Sequence, residues 1–146
     1  MSWASTTLTT TTTLETHESE INEITTVANI AAKIVLAKSL LKNKIEATLR
    51  QHLYTVDYAE GEVLIDIVAN PTTFINCCDY LTLSLVYKDL SKGRQDTLFW
   101  DKYLLYKDDY EAEYTIASSR IDIDRNMDGT TDTYQQNIQT YGICKR

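Results

Sequence analysis

Residues 70–93, NPTTFINCCDYLTLSLVYKDLSKG, contain the clearest helix signals of this 146-residue chain. Asn70 and Pro71 suit an N-cap and a first helical position, because the N–H that Pro lacks has no intrahelical partner there. Gly93 is able to adopt the left-handed conformation that commonly ends a helix. The stretch therefore predicts a helix over residues 71–90. Its inward positions are Phe74, Cys78, Leu81, Leu85 and either Tyr87 or Lys88.

Upstream of this helix, apolar residues recur at steps of three and four, which is typical of an amphipathic helix. They are Ile21, Ile24, Ala28, Ala31, Val35, Ile45, Leu49 and Leu53. The pattern predicts one long helix over residues 17–53, or two nearly continuous helices that break near residues 42–44. Residues 60–69 suit a short helix of two or three turns, and their Val and Ile content keeps a short strand as the alternative.

Downstream, residues 95–117 predict a further helix with an aromatic stripe at helical spacing. The stripe consists of Phe99, Tyr103, Tyr106, Tyr110, Tyr114 and Ala117. Such a stripe is more typical of a core or a subunit interface than of a ligand site. Tyrosine hydroxyls still need water or a hydrogen-bond partner when the ring is buried.

The two ends of the chain differ from this helical middle. Residues 1–16 are rich in Thr, which favours extended backbone, and we expect an extended arm that a partner orders. Residues 119–135 alternate like a strand and then turn, which predicts a β-hairpin; residues 136–146 predict an irregular tail. The expected fold is mainly α: a small bundle of three to four helices over residues 17–118, with a short C-terminal hairpin and two extended arms.

Composition excludes several classes of protein. The chain has 14 Lys and Arg against 21 Asp and Glu, and its net charge of -7 disfavours a general nucleic-acid binder. Four Gly and one Pro are too few for the many turns of a β-sandwich or barrel. No apolar run approaches the length of a membrane span, and the N-terminus lacks the order of a signal peptide. We expect a protein of the cytoplasm that does not contact a membrane.

One motif in the sequence carries metal chemistry. Oxygen-bearing residues occupy alternate positions, as in a calcium loop, and Gly129 stands where such a loop turns sharply. These candidate ligands are Asp124, Asn126, Asp128, Thr130 through its carbonyl, and Asp132. The last position holds Gln135 instead of the bidentate Glu. The motif therefore predicts a weak, structural Ca²⁺ site, or an acidic hairpin turn, since turns prefer the same residues.

No residue set predicts catalysis. His17 and His52 lie in helical contexts without the neighbours of a catalytic triad, and there is no Gly-rich phosphate loop. Cys77, Cys78 and Cys144 are an odd number without metal-ligand spacing, so buried apolar roles are favoured over metal or redox chemistry. We expect no enzyme and, apart from the calcium loop, no cofactor.

The order of segments in the middle of the chain resembles the head–tail connector, or neck adaptor, proteins of tailed bacteriophages. The resemblance rests on residues 57–62 (DYAEGE), 67–71 (IVANP), 80–90 (YLTLSLVYKDL) and 99–103 (FWDKY), followed by a Tyr-spaced helix and an acidic turn. It covers about residues 17–135 and carries no catalytic signature.

The resemblance implies a structural virion protein that forms a homo-oligomeric ring of twelve copies under the portal. Such a ring links the capsid to the tail, contacts the portal protein and a downstream neck or tail protein, and lets DNA pass only as cargo. The implied location is the virion neck, after assembly in the host cytoplasm. The alternative from the residues themselves is a small calcium-binding interaction module that uses the Asp124–Asp132 loop.

Overall fold

The computed structural model describes residues 2–52 and 64–124. These two ranges hold five α-helices and two 3-10 helices, without a regular strand. In chain order they are α1 Thr11–His17, α2 Ile21–Ile24, α3 Val27–His52, the 3-10 helices Leu64–Ile67 and Pro71–Phe74, α4 Ile75–Ser91, and α5 Leu98–Ser119. The prediction of a mainly helical protein is confirmed. Most of the predicted hairpin and all of the predicted tail lie outside the described residues.

Helix α4 is the central helix of the molecule. Ten of its seventeen residues are buried, which is more than one apolar stripe provides, so other elements cover it on several sides. Its buried hydroxyls are satisfied within the helix: Thr82 donates to the Cys78 carbonyl at 2.7 Å, and Ser84 donates to the Leu81 carbonyl at 2.7 Å. These two hydroxyl side chains can therefore lie on the buried surface of α4 without leaving their O–H donors unpaired.

The predicted start and end of this helix are each displaced slightly. Pro71 begins a 3-10 turn, and the α-helix follows from Ile75. At the other end Lys92 is already left-handed, with φ of 50°, and Gly93 follows with φ of 75°. Helix α5 begins at Leu98 because the Thr97 side chain accepts a hydrogen bond from the Trp100 N–H at 3.2 Å.

Helix α3 is continuous over 26 residues, so the chain does not break at residues 42–44. Its phase matches the sequence prediction only in its second half. Ala28, Ala31 and Val35, which the predicted pattern placed on the apolar side, are exposed. Ile45 and Leu49 of the predicted set are buried, and Ile30, Ala37 and Leu41 are the other buried positions. The predicted phase ran on from Ile21 and Ile24, but these belong to the separate α2, and α3 carries apolar residues on two faces.

The core joins α3, α4 and α5 in two clusters. One cluster combines the second half of α3, the first half of α4 and the second half of α5, and it includes Ile45, Cys77 and Tyr114. The other combines Ile30 of α3 with Val86 of α4 and Tyr106 of α5. Helix α4 therefore runs antiparallel to both α3 and α5.

The Thr-rich N-terminal segment packs against this core. Trp3, Leu8 and Leu14 are buried, and α1 begins with a capping box in which Thr10 and Thr13 exchange hydrogen bonds. The predicted extended arm over residues 1–16 is therefore wrong for α1, and the segment needs no partner to pack. Three well-spaced apolar side chains anchor it in the core, while the hydroxyls of Thr6 and Thr16 donate to backbone carbonyls nearby in the sequence.

Residues 120–124 lie beside the segment that precedes α4. Val68 and Ile123 form an isolated antiparallel bridge, and the Ala69 N–H donates to the Asp122 carbonyl at 2.9 Å. Arg120 is exposed, Ile121 and Ile123 are buried and Asp122 is half-buried, as the predicted alternation requires; Asp124 departs from it, because it is buried. The predicted helix over residues 60–69 is, in its described part, only the 3-10 turn Leu64–Ile67.

Candidate functional site

The calcium-loop prediction falls mainly outside the described residues. Asp124 is the one predicted ligand that the structure describes; Asn126, Asp128, Thr130 and Asp132 lie beyond it. The Asp124 side chain is buried at 7% exposure, and its N–H donates to the Ile67 carbonyl at 2.8 Å. Within residues 2–52 and 64–124, no three His, Cys, Asp or Glu side chains cluster as metal ligands. The Ca²⁺ site therefore stays a prediction.

Asn70 holds the segment that leads to Asp124. Its side-chain amide donates to the Arg120 carbonyl at 3.0 Å and accepts from the Asp122 N–H at 2.9 Å. Asn70 occupies the predicted N-cap position, but its side chain makes no capping hydrogen bond. No local sequence signal points to this role, because the partner backbone is distant along the chain.

The adjacent cysteines are buried and free of disulfides, as the sequence predicted. Burial, reinforced by the nearby Glu113 carboxylate, raises the pKa of Cys77 to about 12. Burial also raises the pKa of Cys78. Both thiols therefore stay protonated at neutral pH, which makes them poor nucleophiles and poor metal ligands. Cys144 lies outside the described residues.

His17 and Thr13 meet a buried carboxylate on α4. Asp79, at 1% exposure, lies 3.5 Å from His17 Nε2 and accepts a hydrogen bond from Thr13 Oγ1 at 3.0 Å. Burial raises the pKa of Asp79, against the opposing effect of Thr9, Thr13 and His17. The hydroxyl and the imidazole thus both contact the same carboxylate. This arrangement ties α1 to α4.

A second polar group joins the end of α1 to α5. Glu18 Oε2 accepts hydrogen bonds from Lys102 Nζ at 2.8 Å and from the Tyr106 hydroxyl at 2.9 Å. Burial acts to raise the pKa of Glu18, but hydrogen bonds from Lys102, Tyr106 and Tyr87 together lower it. The group stays ionised and paired at neutral pH, so it fixes the N-terminal segment on the bundle.

The predicted aromatic stripe of α5 belongs to the core of the molecule. Tyr106, Tyr110 and Tyr114 are buried, and Tyr106 stacks on Tyr87 of α4 at 5.7 Å between ring centroids. The Tyr114 hydroxyl lies 2.7 Å from Thr48 Oγ1 of α3. Because these three rings are buried, this part of the stripe is not available as a surface for another molecule; Phe99 and Tyr103, at its other end, are half-buried.

The outer side of α3 is apolar and uncharged over most of its length. Every exposed residue of this helix from Val27 to Asn43 lacks a charge. Val35 is 70% exposed, and Leu36 and Leu40 are each 42% exposed. We name the continuous strip on this side the α3 face; it consists of Ala28, Ala32, Val35, Leu36, Ser39, Leu40 and Asn43. Contiguous exposed apolar surface of this kind marks interaction sites.

Helix α5 carries a second exposed apolar strip, the α5 face, at intervals of seven and four residues. It consists of Leu98, Leu105, Ala112 and Ile116. Leu98 is 69% exposed and Leu105 is 56% exposed. This face lies on the opposite side of the helix from Tyr114, which contacts Thr48 of α3. The α3 face likewise lies opposite Thr48, so the two faces point away from each other.

None of the helices in residues 2–52 and 64–124 combines the length and the hydrophobicity that a membrane crossing requires. Comparison with family models, with curated proteins and with solved structures gave no match. The site that the described residues offer is therefore defined by geometry alone: two outward apolar helix faces on a small helical bundle.

Proposed function

We propose that this chain is a structural virion protein, a head–tail connector in the neck of a tailed bacteriophage. In this role it forms a homo-oligomeric ring under the portal protein, links the capsid to the tail and catalyses no reaction. The observation that supports the proposal best is the pair of outward apolar faces on α3 and α5. A ring subunit needs two different surfaces, one for each neighbour.

The internal packing of the N-terminal segment changes which surfaces serve this role. Trp3, Leu8 and Leu14 are buried within the chain's own core. We therefore propose that α3, α5 and the tail of residues 136–146 make the contacts between subunits. A free N-terminal arm is not needed for them. The acidic balance, with a net charge of -7, suits a channel through which DNA passes without binding, because like charges repel.

The test is assembly on the portal protein encoded in the same genome. We expect the isolated chain to be monomeric or weakly associated, and mixing with purified portal rings to give a further ring visible by cryo-electron microscopy. Deletion of residues 136–146 is expected to leave the helical circular dichroism signal intact and to block ring formation. Absence of any binding to the portal would contradict the proposed function.

The calcium-binding module is the second candidate. It is favoured by the position of Asp124, whose backbone is fixed to Ile67 at the start of the predicted loop. Calorimetric titration of Ca²⁺ into the metal-free chain is expected to release or absorb heat, and Asp128→Ala is expected to abolish that signal. No heat and no shift of melting temperature at millimolar Ca²⁺ would exclude this candidate.

A further inference from the structure

We infer that copies of this chain associate head to tail, with the α3 face of one copy packed on the α5 face of the next. This inference rests on the proposed function only in its expectation of a closed ring. The choice of the two contacting faces rests on which side chains are exposed and on the charges beside them. Both faces expose branched apolar side chains, with Val35 and Leu105 near their centres. Burying these side chains against each other removes apolar surface from water, which favours association.

The charges beside the α3 face are basic. Helix α3 contains five Lys and Arg residues and a single acidic residue, Glu46. Lys38 and Lys42 follow one edge of the face, while Lys33 and Lys44 follow the other. Lys33 and Lys44 already pair with acidic side chains of the same chain. Lys42 Nζ makes only a looser contact, 4.0 Å from Glu46 Oε1. Of the Lys residues that border the α3 face, Lys42 is thus the most available for an ion pair with a neighbouring copy.

The charges beside the α5 face are mainly acidic, and the base nearest to the face, Lys102, is paired with Glu18 of its own chain. Asp101 and Asp108 lie along one edge of the face, and Asp109 lies along the other. Asp101 and Asp108 are exposed, and within the described ranges none of these three carboxylates pairs with a basic side chain of its own chain. They remain available for a basic partner surface, and the rim of the α3 face is such a surface.

The charge pattern selects one mode of association. If two α3 faces packed together, the Lys residues at their edges would repel each other. If two α5 faces packed together, the Asp residues at their edges would repel each other. Packing an α3 face on an α5 face brings opposite charges together, which specifies the partner and its orientation. Since the two faces point away from each other on one molecule, each copy contacts two neighbours, and repetition of the contact gives a closed ring or a filament.

Site-specific cross-linking tests the inference. The variants Val35→Cys and Leu105→Cys place one thiol on each face, and both positions are exposed. Cys77 and Cys78 are buried, and Cys144 is replaced by Ser in every variant. Treatment with a short bismaleimide is expected to link a mixture of the two single variants into dimers. The double variant is expected to give a ladder of multimers, and either single variant alone is expected to remain monomeric.

A control variant and reactions with added portal rings distinguish a failure of this inference from a failure of the proposed function. Thr12→Cys places an exposed thiol on α1, away from both faces, and is expected to form no dimer with Leu105→Cys. All reactions are run with and without portal rings. Dimers from one single variant alone, or no dimer from the mixture in either condition, would overturn the head-to-tail inference. A ladder without portal binding would instead support the inference and contradict the connector function.

Discussion

Trp3 is the side chain that best explains why the N-terminal segment is ordered. It is 3% exposed and meets Phe74 edge to face at 6.3 Å between ring centroids, while its backbone N–H donates to Asp66 Oδ1 at 3.0 Å. Lys38 of α3 also donates to the Ala4 and Thr6 carbonyls. Threonine content predicts local backbone preference, but it does not reveal that a few apolar residues between the threonines have a place in the core.

Replacement of Trp3 by Ala is expected to lower the free energy of unfolding by about 3 kcal/mol, as for other buried aromatic side chains truncated to Ala. Urea denaturation followed by circular dichroism measures this loss. Thr7→Ala is the matched control, because Thr7 is exposed in the same segment and its replacement is expected to change little. Equal denaturation midpoints for the two variants would contradict the packing of this segment.

Glu18 is expected to make stability depend on pH in the acidic range. Its pKa is lowered from the ordinary value of 4.5, so its stabilising effect is complete above that value and is lost as pH falls through the lower pKa of the folded state. Glu18→Gln is expected to cost about 1 kcal/mol at neutral pH, since the hydrogen bonds from Lys102 and Tyr106 lose their charged acceptor in a partly exposed site.

The difference between wild type and Glu18→Gln, measured by urea denaturation at a series of pH values, isolates this group. Asp79 acts in the opposite direction, because its raised pKa makes the folded state less stable as pH rises above 3.8. That contribution is common to both proteins and cancels in the comparison. A stability difference that stays constant down to the lowest pH would contradict the lowered pKa of Glu18.

At the scale of secondary structure, local sequence signals predicted approximately where α4 begins and ends and which side of α5 is buried. Pro71 starts the helical region before α4, Gly93 follows its end, and the aromatic spacing of α5 identifies its buried side. The sequence did not predict the pairing of Val68 with Ile123 or the inward side of the first half of α3. The pairing joins distant residues, and α3 has two apolar faces, so periodicity alone does not select the inward one.

Asn70 is expected to control the position of the segment that carries Asp124. Asn70→Ala removes both side-chain hydrogen bonds to residues 120–122 and is expected to cost about 1 kcal/mol of folding stability. Asn70→Asp is the matched control, because its carboxylate still accepts from the Asp122 N–H and loses only the donor to Arg120. Amide hydrogen exchange at Asp122 and Asp124 is expected to rise most in the Ala variant. Unchanged exchange in that variant would contradict the role of Asn70.

At the scale of the whole molecule, the division between core and surface leaves the two exposed apolar faces that we propose for assembly. The sequence left the tyrosine stripe open as a core or an interface, and the structure places it in the core through Tyr106, Tyr110 and Tyr114. Among the described residues, the large apolar side chains that stay exposed lie on α3 and α5. Those on α3 escaped prediction because the predicted pattern placed Ala28, Ala31 and Val35 on the inward side. Assigning which apolar residues stay outside requires knowing how the helices pack on α4.

Salt is expected to weaken head-to-tail association without abolishing it. Raising NaCl from 0.1 M to 1 M shortens the screening length from about 10 Å to about 3 Å, which weakens attraction between the Lys and Asp rims. Contact between the apolar faces persists, because salt does not screen it. If the exposed rim pairs together contribute about 1 kcal/mol, the association constant falls about fivefold. The yield of cross-linked dimer from Val35→Cys mixed with Leu105→Cys follows this change.

Charge-neutralising variants distinguish the rim from the net charge of the protein. In the Leu105→Cys chain, Asp101→Asn with Asp108→Asn removes two exposed carboxylates beside the α5 face and is expected to lower the dimer yield at low salt and flatten its salt dependence. Glu20→Gln with Glu23→Gln removes the same number of exposed charges from the segment before α3, outside α5, and is expected to keep the original salt response. If both pairs flattened the response equally, long-range repulsion between acidic chains, and not rim pairing, would govern association.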